Sequence, residues 1–506
     1  MASADASAPP KLLRSKLFWV ALLYFSEGFP LGVFYELFPV YFRQQGVELK
    51  DIGLISLLGL AWTVKFLWAP AIDHYRRHRV WMATVDVAMA LVLIAFAASK
   101  GFGPWVWAAI GAFTLLSATN DIAIDGYTIE LLDRNELGLA NGIRIGFYRV
   151  GMLASGLVLI LSDWLTWSGA FAGGAAILAA CAAAVLAAPR ERVVVRDEQL
   201  GLRAEFARVL ADPRGAVPVA ALALGTLWLV DNALGLSAAR PALWPVAWAA
   251  AAAGIAVSAA LHAARTRRRT AAGTPPATAR GPMFGALLEL LGRPHIVPVL
   301  LFVLIFKLGD ASMGFMVKPF WVDAQFSATE IGLVSVNIGL GLSIAGGLAG
   351  GWYTDRAGIF RALWVLGLFQ AISNLGYAIA ASVIPYGAPG ELELWHRAVM
   401  YSASAAESFT GGLGTAAFLA FLMAIVDKRH SATEYALLSS VFALSRSLAG
   451  WASGYGAQEL GYAQYFLLTF FLSFPAYAAL PWVRRMLDFV EARNRSVAEE
   501  QSPARA

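Results

Sequence analysis

Fourteen apolar runs divide this chain, and each is close to the length that a membrane requires of a helix. Crossing the hydrocarbon core of a bilayer takes about 20 consecutive apolar residues. Charged residues make up only 14% of the chain, against roughly a quarter in soluble domains, so much of its surface must face lipid. The pattern predicts an all-α integral membrane protein. The runs are 17–42, 52–72, 80–98, 105–127, 138–161, 170–188, 216–236, 242–264, 297–320, 331–353, 363–383, 399–426, 435–457 and 462–483.

Lysine and arginine cluster at alternate ends of these runs, and that bias sets the orientation of membrane helices. The alternation is consistent if both chain ends are cytoplasmic, because cytoplasmic loops carry the excess of positive charge. The predicted division is a cytoplasmic N-terminus (1–16), a six-helix bundle (17–188), a cytoplasmic linker (189–215), an inserted helix pair (216–264), a basic cytoplasmic loop (265–295), a second six-helix bundle (296–483) and a cytoplasmic tail (484–506).

Catalysis and metal binding find no support in the residue types present. The single cysteine, Cys181, excludes an intramolecular disulfide and a CxxC metal site. The six histidines form no HxxxH or HxH motif, which argues against a membrane-embedded enzyme. We therefore expect no enzymatic activity, no metal and no cofactor. The net charge of +5 reflects membrane topology and not nucleic-acid binding.

The two six-helix halves repeat a charged motif at a predicted cytoplasmic helix end. Asp73 and Asp355 occupy equivalent places, and each is followed by arginines. Repeated halves are typical of transporters that hold their substrate between two bundles. A carboxylate beside a helix N-terminus makes a charge–dipole contact, so we predict that these residues act in gating; the alternative is a purely topogenic cap. The gating prediction covers Asp73, Arg76, Asp355, Arg356 and Arg361.

Several segments resemble the major facilitator superfamily and, within it, the AmpG and acetyl-CoA transporter family. Gly350–Arg361 has the G-x-x-x-D-R-x-G-x-x-R pattern of the superfamily's signature loop. The resemblance implies the major facilitator fold, with two six-helix bundles plus an inserted helix pair of the kind found in the AmpG branch. The segments that resemble the narrower family are 52–59, 65–70, 117–125, 148–156, 307–311, 411–418 and 427–439.

The resemblance also implies a function. The chain resembles a family of proton-driven permeases of the bacterial inner membrane, which import muropeptides for cell-wall recycling. These substrates are disaccharides of N-acetylglucosamine and anhydro-N-acetylmuramic acid, with or without a stem peptide. The proton gradient would be the driving force. The partners would be this small glycopeptide and membrane lipid, without nucleic acid, and the chain would act as a monomer. The alternative is a carrier of acyl-CoA or another anionic metabolite.

Charged side chains inside the apolar runs are the candidates for chemistry, because each costs about 2.5–3.5 kcal/mol at the bilayer centre. Asp121 and Asp125 are one helical turn apart, so their carboxylates share a helix face. Two close carboxylates in a low dielectric resist double ionisation. We therefore predict that this pair handles the coupled proton. The alternative is a static scaffold in which both aspartates pair with Arg144 or Arg149.

Other polar residues in the runs are candidates for substrate binding. Lys307 and Asp310 are spaced to pair with each other, or Lys307 holds a carboxylate of the substrate. Arginines can hold anionic groups by bidentate hydrogen bonds. Lys65 is interpreted as snorkelling or as a structural partner of Glu27 or Asp86. The substrate-binding prediction covers Glu27, Asn120, Tyr127, Arg144, Arg149, Lys307, Asp310, Glu407 and Arg446.

Small residues in the second half predict close helix packing. Gly346 and Gly350 form one Gly-x-x-x-Gly pair, and Gly347 and Gly351 form another. Such pairs let two helix backbones approach each other within a membrane.

Overall fold

A computed structural model describes residues 15–65, 68, 72, 77–99, 102–132, 137–190, 253–254, 293–386, 392–426 and 431–501. Every regular element within these ranges is helical. The predicted all-α membrane architecture is therefore confirmed. The inserted pair 216–264 lies outside the described residues except for 253–254. The count of fourteen helices stays a prediction.

The first half of the chain contributes five helical elements to the described residues. α1 packs along α5, and α3 packs against both α4 and α5. α5 contains two of the predicted runs, which meet at Thr166, where φ is 63°. The bounds are α1 (Lys16–Gln44), α2 (Leu49–Ile55 and Leu60–Val64), α3 (His78–Ala98), α4 (Pro104–Leu131) and α5 (Leu137–Leu186).

The second half contributes seven. α6 packs against α8 and α11, and α8 packs against α11. The bounds are α6 (Ile296–Ile305 and Leu308–Asp323), α7 (Ala328–Ala357), α8 (Ile359–Val383), α9 (Leu394–Ile425), α10 (Ser431–Leu460), α11 (Tyr462–Leu472) and α12 (Leu480–Gln501).

Nine helices among the described residues are long and apolar enough to cross a bilayer. The predicted run 435–457 is helical in α10 but is less apolar than these nine. The run 52–72 is helical over 52–64, with a 3₁₀ turn at Ser56–Gly59, and most of its remainder lies outside the described residues. Each of these two segments is thus placed as predicted but is more polar or less regular than a simple spanning helix.

Several membrane helices contain turns that are not α-helical. α1 includes a π-helical turn at Val33–Leu37, α7 begins with another at Ile331–Ile338, and α6 is interrupted at Phe306–Lys307. Such turns disturb the regular backbone ladder, which a membrane helix tolerates where surrounding protein satisfies the freed groups. They also recur at functional sites. Glu36 and Lys307 both lie in these irregular turns.

The described glycine pairs show why small residues recur where α7 meets α9. A Cβ atom on Gly346 would collide with the backbone oxygen of Phe409, and one on Gly350 would collide with the α9 backbone one turn further on. A Cβ atom on Gly347 or Gly351 would meet nothing within 4 Å. The packing prediction is confirmed for Gly346 and Gly350, where a Cβ atom does not fit against α9. Gly347 also lies against α9, because its backbone nitrogen would be 2.9 Å from a Cβ atom on Gly412. A need for small residues at Gly347 and Gly351 stays a prediction.

The Cα positions form two compact units. The first comprises Met1–Val193, Val303–Phe421 and Phe442–Ala478 and contains helices from both predicted bundles. The second comprises Val194–Phe302, Leu422–Val441 and Ala479–Ala506. Within the second, Arg293 Nη1 donates a hydrogen bond to the carbonyl oxygen of Ile425 at 2.8 Å. The boundaries of the predicted bundles, linker and loops stay a prediction.

Candidate functional site

Three carboxylates meet inside the first unit. Glu27 comes from α1, and Asp121 and Asp125 come from successive turns of α4. One oxygen of each lies within 4.8 Å of the others. The predicted common face of Asp121 and Asp125 is therefore confirmed. Glu27, Asp121 and Asp125 are called the acidic cluster below.

Two cations neutralise two of these carboxylates. Lys65, just after α2, forms an ion pair with Asp121. Arg144 of α5 lies 2.8 Å from Asp125 Oδ1, measured from Nη2. Arg144 is thus one of the arginine partners that the sequence left open for the aspartates. Lys65 pairs with Asp121, which corrects its interpretation as a partner of Glu27 or Asp86.

Tyr24 of α1 completes the surroundings of Asp125. Its hydroxyl donates a hydrogen bond to Asp125 Oδ1 at 2.6 Å. The Arg144 guanidinium lies over the Tyr24 ring, 4.6 Å from the ring centroid. Asp125 therefore has a charged partner and a neutral donor, and the tyrosine ring holds the arginine in place by a cation–π contact.

Glu27 is the carboxylate that these two cations leave without a charged partner. Its Oε2 is buried and accepts no hydrogen bond from the described residues. Three carboxylates against two cations leave one negative charge uncompensated if all are ionised. An unpaired buried carboxylate is costly in a low dielectric. The cluster can therefore accept one positive charge, either a proton or a cationic group.

A metal ion would be a poor occupant of the acidic cluster. The distances between the three carboxylates permit one, and oxygen ligands suit hard cations. Lys65 and Arg144, however, already occupy Asp121 and Asp125. A divalent ion would have to displace both, so the donor set favours a single added charge.

Asp86 of α3 forms a second buried acidic site next to the cluster. Ser26 Oγ donates to its two oxygens at 3.0 and 3.2 Å, and Asn120 Nδ2 donates to Oδ1 at 2.9 Å. Asn120 is therefore hydrogen-bonded to Asp86, and its side chain is almost fully buried. Tyr127 donates to the carbonyl oxygen of Pro189 at 2.8 Å. The substrate-binding role of Asn120 and Tyr127 stays a prediction.

Lys307 of the second half lies at the interruption in α6 and is buried. Its Nζ is 3.3 Å from Asp310 Oδ2. It donates to Thr415 Oγ1 at 2.8 Å and to the carbonyl oxygen of Gly411 at 3.3 Å. The structure thus shows the local pairing that the spacing predicted, together with two contacts to α9.

Glu407 of α9 lies near the same group. It accepts a hydrogen bond from Ser408 Oγ at 3.3 Å and interacts electrostatically with Asp310 and Lys318. The second half of the chain therefore contains one polar group, formed by Lys307, Asp310 and Glu407, whereas the acidic cluster lies in the first half.

Arg149 and Arg446 each connect a helix of one predicted bundle with a helix of the other. Arg149 Nη1 of α5 donates to Ser343 Oγ of α7 at 3.5 Å. The guanidinium of Arg446, on α10, lies over the Tyr35 ring of α1, 3.9 Å from its centroid. The structure thus shows both arginines in contacts between the two predicted bundles, and their role in substrate binding stays a prediction.

Tyr35 belongs to a group of four aromatic side chains that contact one another. It stacks with Trp62 at a centroid distance of 6.3 Å and meets Phe315 edge-on at 5.5 Å. Phe34 contacts the same two rings. These four residues, from α1, α2 and α6, are called the aromatic group below.

An ion pair between α1 and α6 was missed. Lys318 Nζ lies 2.9 Å from Glu36 Oε2 and donates to Ser335 Oγ at 2.6 Å. Lys318 is buried in the apolar run 297–320. The rule that an intramembrane charge is a functional candidate would have identified it.

The adjoining ends of α1 and α6 form a third polar contact. Arg43 donates to both oxygens of Asp323, at 2.5 and 2.6 Å, and Tyr462 of α11 donates to Asp323 Oδ2 at 2.7 Å. These residues line a cavity of about 380 Å³ together with Glu48 and Tyr386. The predicted topology places this cavity on the periplasmic side.

The predicted gating residues are only partly visible. Asp73 and Arg76 lie outside the described residues. Asp355, Arg356 and Arg361 are exposed at the turn between α7 and α8, where Gly358 has a φ of 84°. The Arg356 guanidinium lies over the Trp352 ring at 4.4 Å. Their gating role stays a prediction.

Comparison with known proteins gives consistent relatives. The sequence model of the Major Facilitator Superfamily matches residues 20–400. The chain is 27% identical over 499 residues to the anhydromuropeptide permease of Escherichia coli, covering 96% of this chain and 82% of that protein. It is 22% identical over 486 residues to a putative AmpG transporter of Rickettsia conorii, covering 94% and 97%. A crystal structure of a bacterial homolog of the human lysosomal transporter Spinster matches with a TM-score of 0.62 at 13% identity, covering 96% and 99%.

Proposed function

This chain belongs to the major facilitator superfamily, and on that premise we propose that it imports anhydro-muropeptides by proton symport. It is a multi-pass membrane transporter and not an enzyme. The observation that carries the proposed coupling is the acidic cluster, in which three carboxylates face two cations. Binding one proton in each cycle would neutralise the uncompensated negative charge.

Support for the substrate comes from similarity and from the chemistry of side chains in both halves. The similarity to a protein named anhydromuropeptide permease extends over 96% of this chain. Aromatic rings such as Tyr35 and Trp62 offer apolar faces for sugar rings. Lys307 and Arg149 offer cations for the carboxylates of a muropeptide. Glu407 offers a carboxylate for an amino group of its peptide.

The charge imbalance also suggests how proton and substrate movement are coupled. Without a proton, Glu27 adds a net negative charge to the cluster, and moving that charge within the membrane is costly. With a proton, the cluster is balanced, and the helices can reorient around it. A transporter of two repeated halves then exposes the same site to either side of the membrane. Symport follows because the protonated, substrate-loaded state is the one that reorients.

Three ion pairs or cation contacts would change during this reorientation. Glu36–Lys318 and Arg43–Asp323 each join a helix of one predicted bundle to a helix of the other, as does the Arg446–Tyr35 contact. We propose that they stabilise the conformation seen here and release when the site opens on their side. The proton gradient is the driving force in this mechanism, and no cofactor takes part.

The remaining parts of the proposal concern location and partners. The transporter would lie in the bacterial inner membrane with both termini cytoplasmic and would serve cell-wall recycling. It would act as a monomer in contact with membrane lipid and would not bind nucleic acid. The similarity to an anhydromuropeptide permease supports the location.

The test is uptake into liposomes that contain the purified protein. Labelled N-acetylglucosaminyl-anhydro-N-acetylmuramic acid is supplied outside, under a pH gradient that is alkaline inside. We expect accumulation that a protonophore abolishes, and protein-free liposomes provide the background. Uptake that is absent, or that ignores the gradient, would refute the proposal.

A carrier of acyl-CoA or another anionic metabolite is the second candidate. The cations Arg149, Lys307 and Arg446 in the described helices would suit phosphate groups as well as carboxylates. The two candidates differ in competition experiments. Inhibition of transport by CoA thioesters, without inhibition by anhydro-sugars, would favour the second.

A further inference from the structure

Asp86 differs from the acidic cluster in the kind of partners it has. Its side chain is fully buried in α3. Its hydrogen-bond donors, Ser26 and Asn120, are both neutral and are themselves almost fully buried. Among the described residues, no lysine or arginine forms an ion pair with it. Asp121 and Asp125, by contrast, each have a cation.

The partners of Asp86 can satisfy it in either protonation state. As a carboxylate, it accepts hydrogen bonds from Ser26 Oγ and Asn120 Nδ2. As a carboxylic acid, it needs an acceptor for its own O–H group. Ser26 Oγ can accept as well as donate. Asn120 Oδ1 is buried and accepts no hydrogen bond from the part of the chain that the structure describes, so rotation of this amide would present a second acceptor.

The two hydrogen-bond donors of Asp86 are each adjacent in sequence to a residue of the acidic cluster. Ser26 precedes Glu27 on α1, and Asn120 precedes Asp121 on α4. A change in the hydrogen bonds around Asp86 therefore acts on the two helix turns that carry the cluster. The titratable group that faces Asp86 from another helix is the buried thiol of Cys181 on α5. That thiol is neutral when protonated and offers no counter-charge.

We propose that Asp86 is a second proton-binding residue of the transport cycle, which positions the acidic cluster through Ser26 and Asn120. The proposal rests on the proposed function. The proton reaches Asp86 through the acidic cluster while the site is open to the periplasm, and it leaves through the cluster once the site has opened to the cytoplasm. In this scheme two protons move with each substrate, one on the cluster and one on Asp86.

The test is the Asp86→Asn variant in liposomes, assayed in two ways. Counterflow exchanges labelled for unlabelled substrate without net proton movement, whereas gradient-driven accumulation depends on the number of coupled protons. Each proton multiplies the limiting accumulation ratio about tenfold per pH unit of gradient. We expect counterflow to remain measurable and the accumulation ratio to fall by about tenfold across a gradient of about one pH unit. Accumulation equal to that of the wild type would overturn the proposal.

Two further variants separate this role from a structural one. Ser26→Ala keeps the carboxyl group but removes one of its partners, so we expect the pH profile of accumulation to shift; an unchanged profile counts against the proposal. This variant also decides the matter if Asp86→Asn does not fold. Ser162→Ala is the matched control, because the buried Ser162 hydroxyl of α5 donates to the carbonyl oxygen of Leu159 in its own helix and its loss should leave the pH profile unchanged.

Infrared difference spectroscopy across a pH titration needs no substrate and keeps the two proposals apart. Wild-type protein should show a carboxylic-acid band that Asp86→Asn lacks. Its presence in a protein that transports no muropeptide would overturn the proposed function and leave the proton site standing. Its absence in a protein that does transport muropeptide would overturn the proton site alone.

Discussion

Charge balance at single residues sets the behaviour of the candidate site. The three carboxylates of the acidic cluster face two cations, and Asp86 is a fourth carboxylate, whose partners are neutral. Replacing a carboxylate by its amide changes this balance while keeping nearly the same shape. Such substitutions therefore test the chemistry of the site with little change in packing.

Asp125→Asn leaves two carboxylates facing Lys65 and Arg144. The two remaining carboxylates are balanced by the two cations, so proton binding by the cluster is no longer favoured. Since the proton carried by the cluster is lost, we expect gradient-driven accumulation to fall by about tenfold across a gradient of about one pH unit, while the thermal unfolding temperature of the purified protein stays close to that of the wild type. Uptake at the wild-type level would contradict a role for Asp125 in coupling.

Glu48→Gln provides the matched control for this substitution. Glu48 is an exposed carboxylate in the turn before α2, where a hydrogen bond from Lys50 holds its pKa below the usual range. It is therefore ionised at neutral pH and does not take up the coupled proton. Uptake by this variant should match the wild type.

Individual helices show how packing and function share the same elements. α4 carries both cluster aspartates and Asn120, so one rigid helix links the cluster with the Asp86 site. α6 is interrupted at Lys307, which releases the lysine towards α9. α7 meets α9 through a stripe of glycines. A change in one of these helices therefore affects several polar contacts together.

Gly346→Ala tests the contact between α7 and α9. Its added Cβ would collide with the backbone of Phe409, which has no flexible end to move. Overpacking of this kind costs about 1–3 kcal/mol, so we expect a lower unfolding temperature in detergent. Gly347→Ala is the control, because its Cβ would meet open space. Equal unfolding temperatures for the two variants would contradict the close contact.

At the scale of the whole molecule, topology decides which contacts face which side of the membrane. Arg43 and Glu36 both contact α6. The side of the membrane on which each contact lies decides which opening of the transporter it opposes. The distribution of lysine and arginine predicts both termini in the cytoplasm. The turn after α1 would then be periplasmic and α12 cytoplasmic.

Cysteine labelling in intact cells tests this topology. Cys181 is the single native cysteine and is buried, so it serves as an internal background and can be replaced by serine. We expect a membrane-impermeant thiol reagent to label Gln45→Cys, at an exposed position after α1, and to label Asp488→Cys in α12 only after cell lysis. The reverse pattern would invert the predicted orientation.

Much of the architecture follows from local sequence patterns. The apolar runs predicted the membrane helices because spanning a bilayer sets a length and a composition that any window of sequence reveals. The shared face of Asp121 and Asp125 was predictable because the helical period depends only on spacing. The interruption at Lys307 was not, since neither Phe306 nor Lys307 is a helix breaker of the kind that proline is.

By itself, the sequence determined which residues enter the membrane and which charges enter with them. Tertiary structure decided how those charges are paired. Lys65 selects Asp121, Lys318 selects Glu36, and Asp86 receives only neutral donors. Partner choice depends on the rotation and depth of one helix relative to another, which no local period encodes. The uncompensated charge on the acidic cluster is therefore a property of the packed helices and not of any single one.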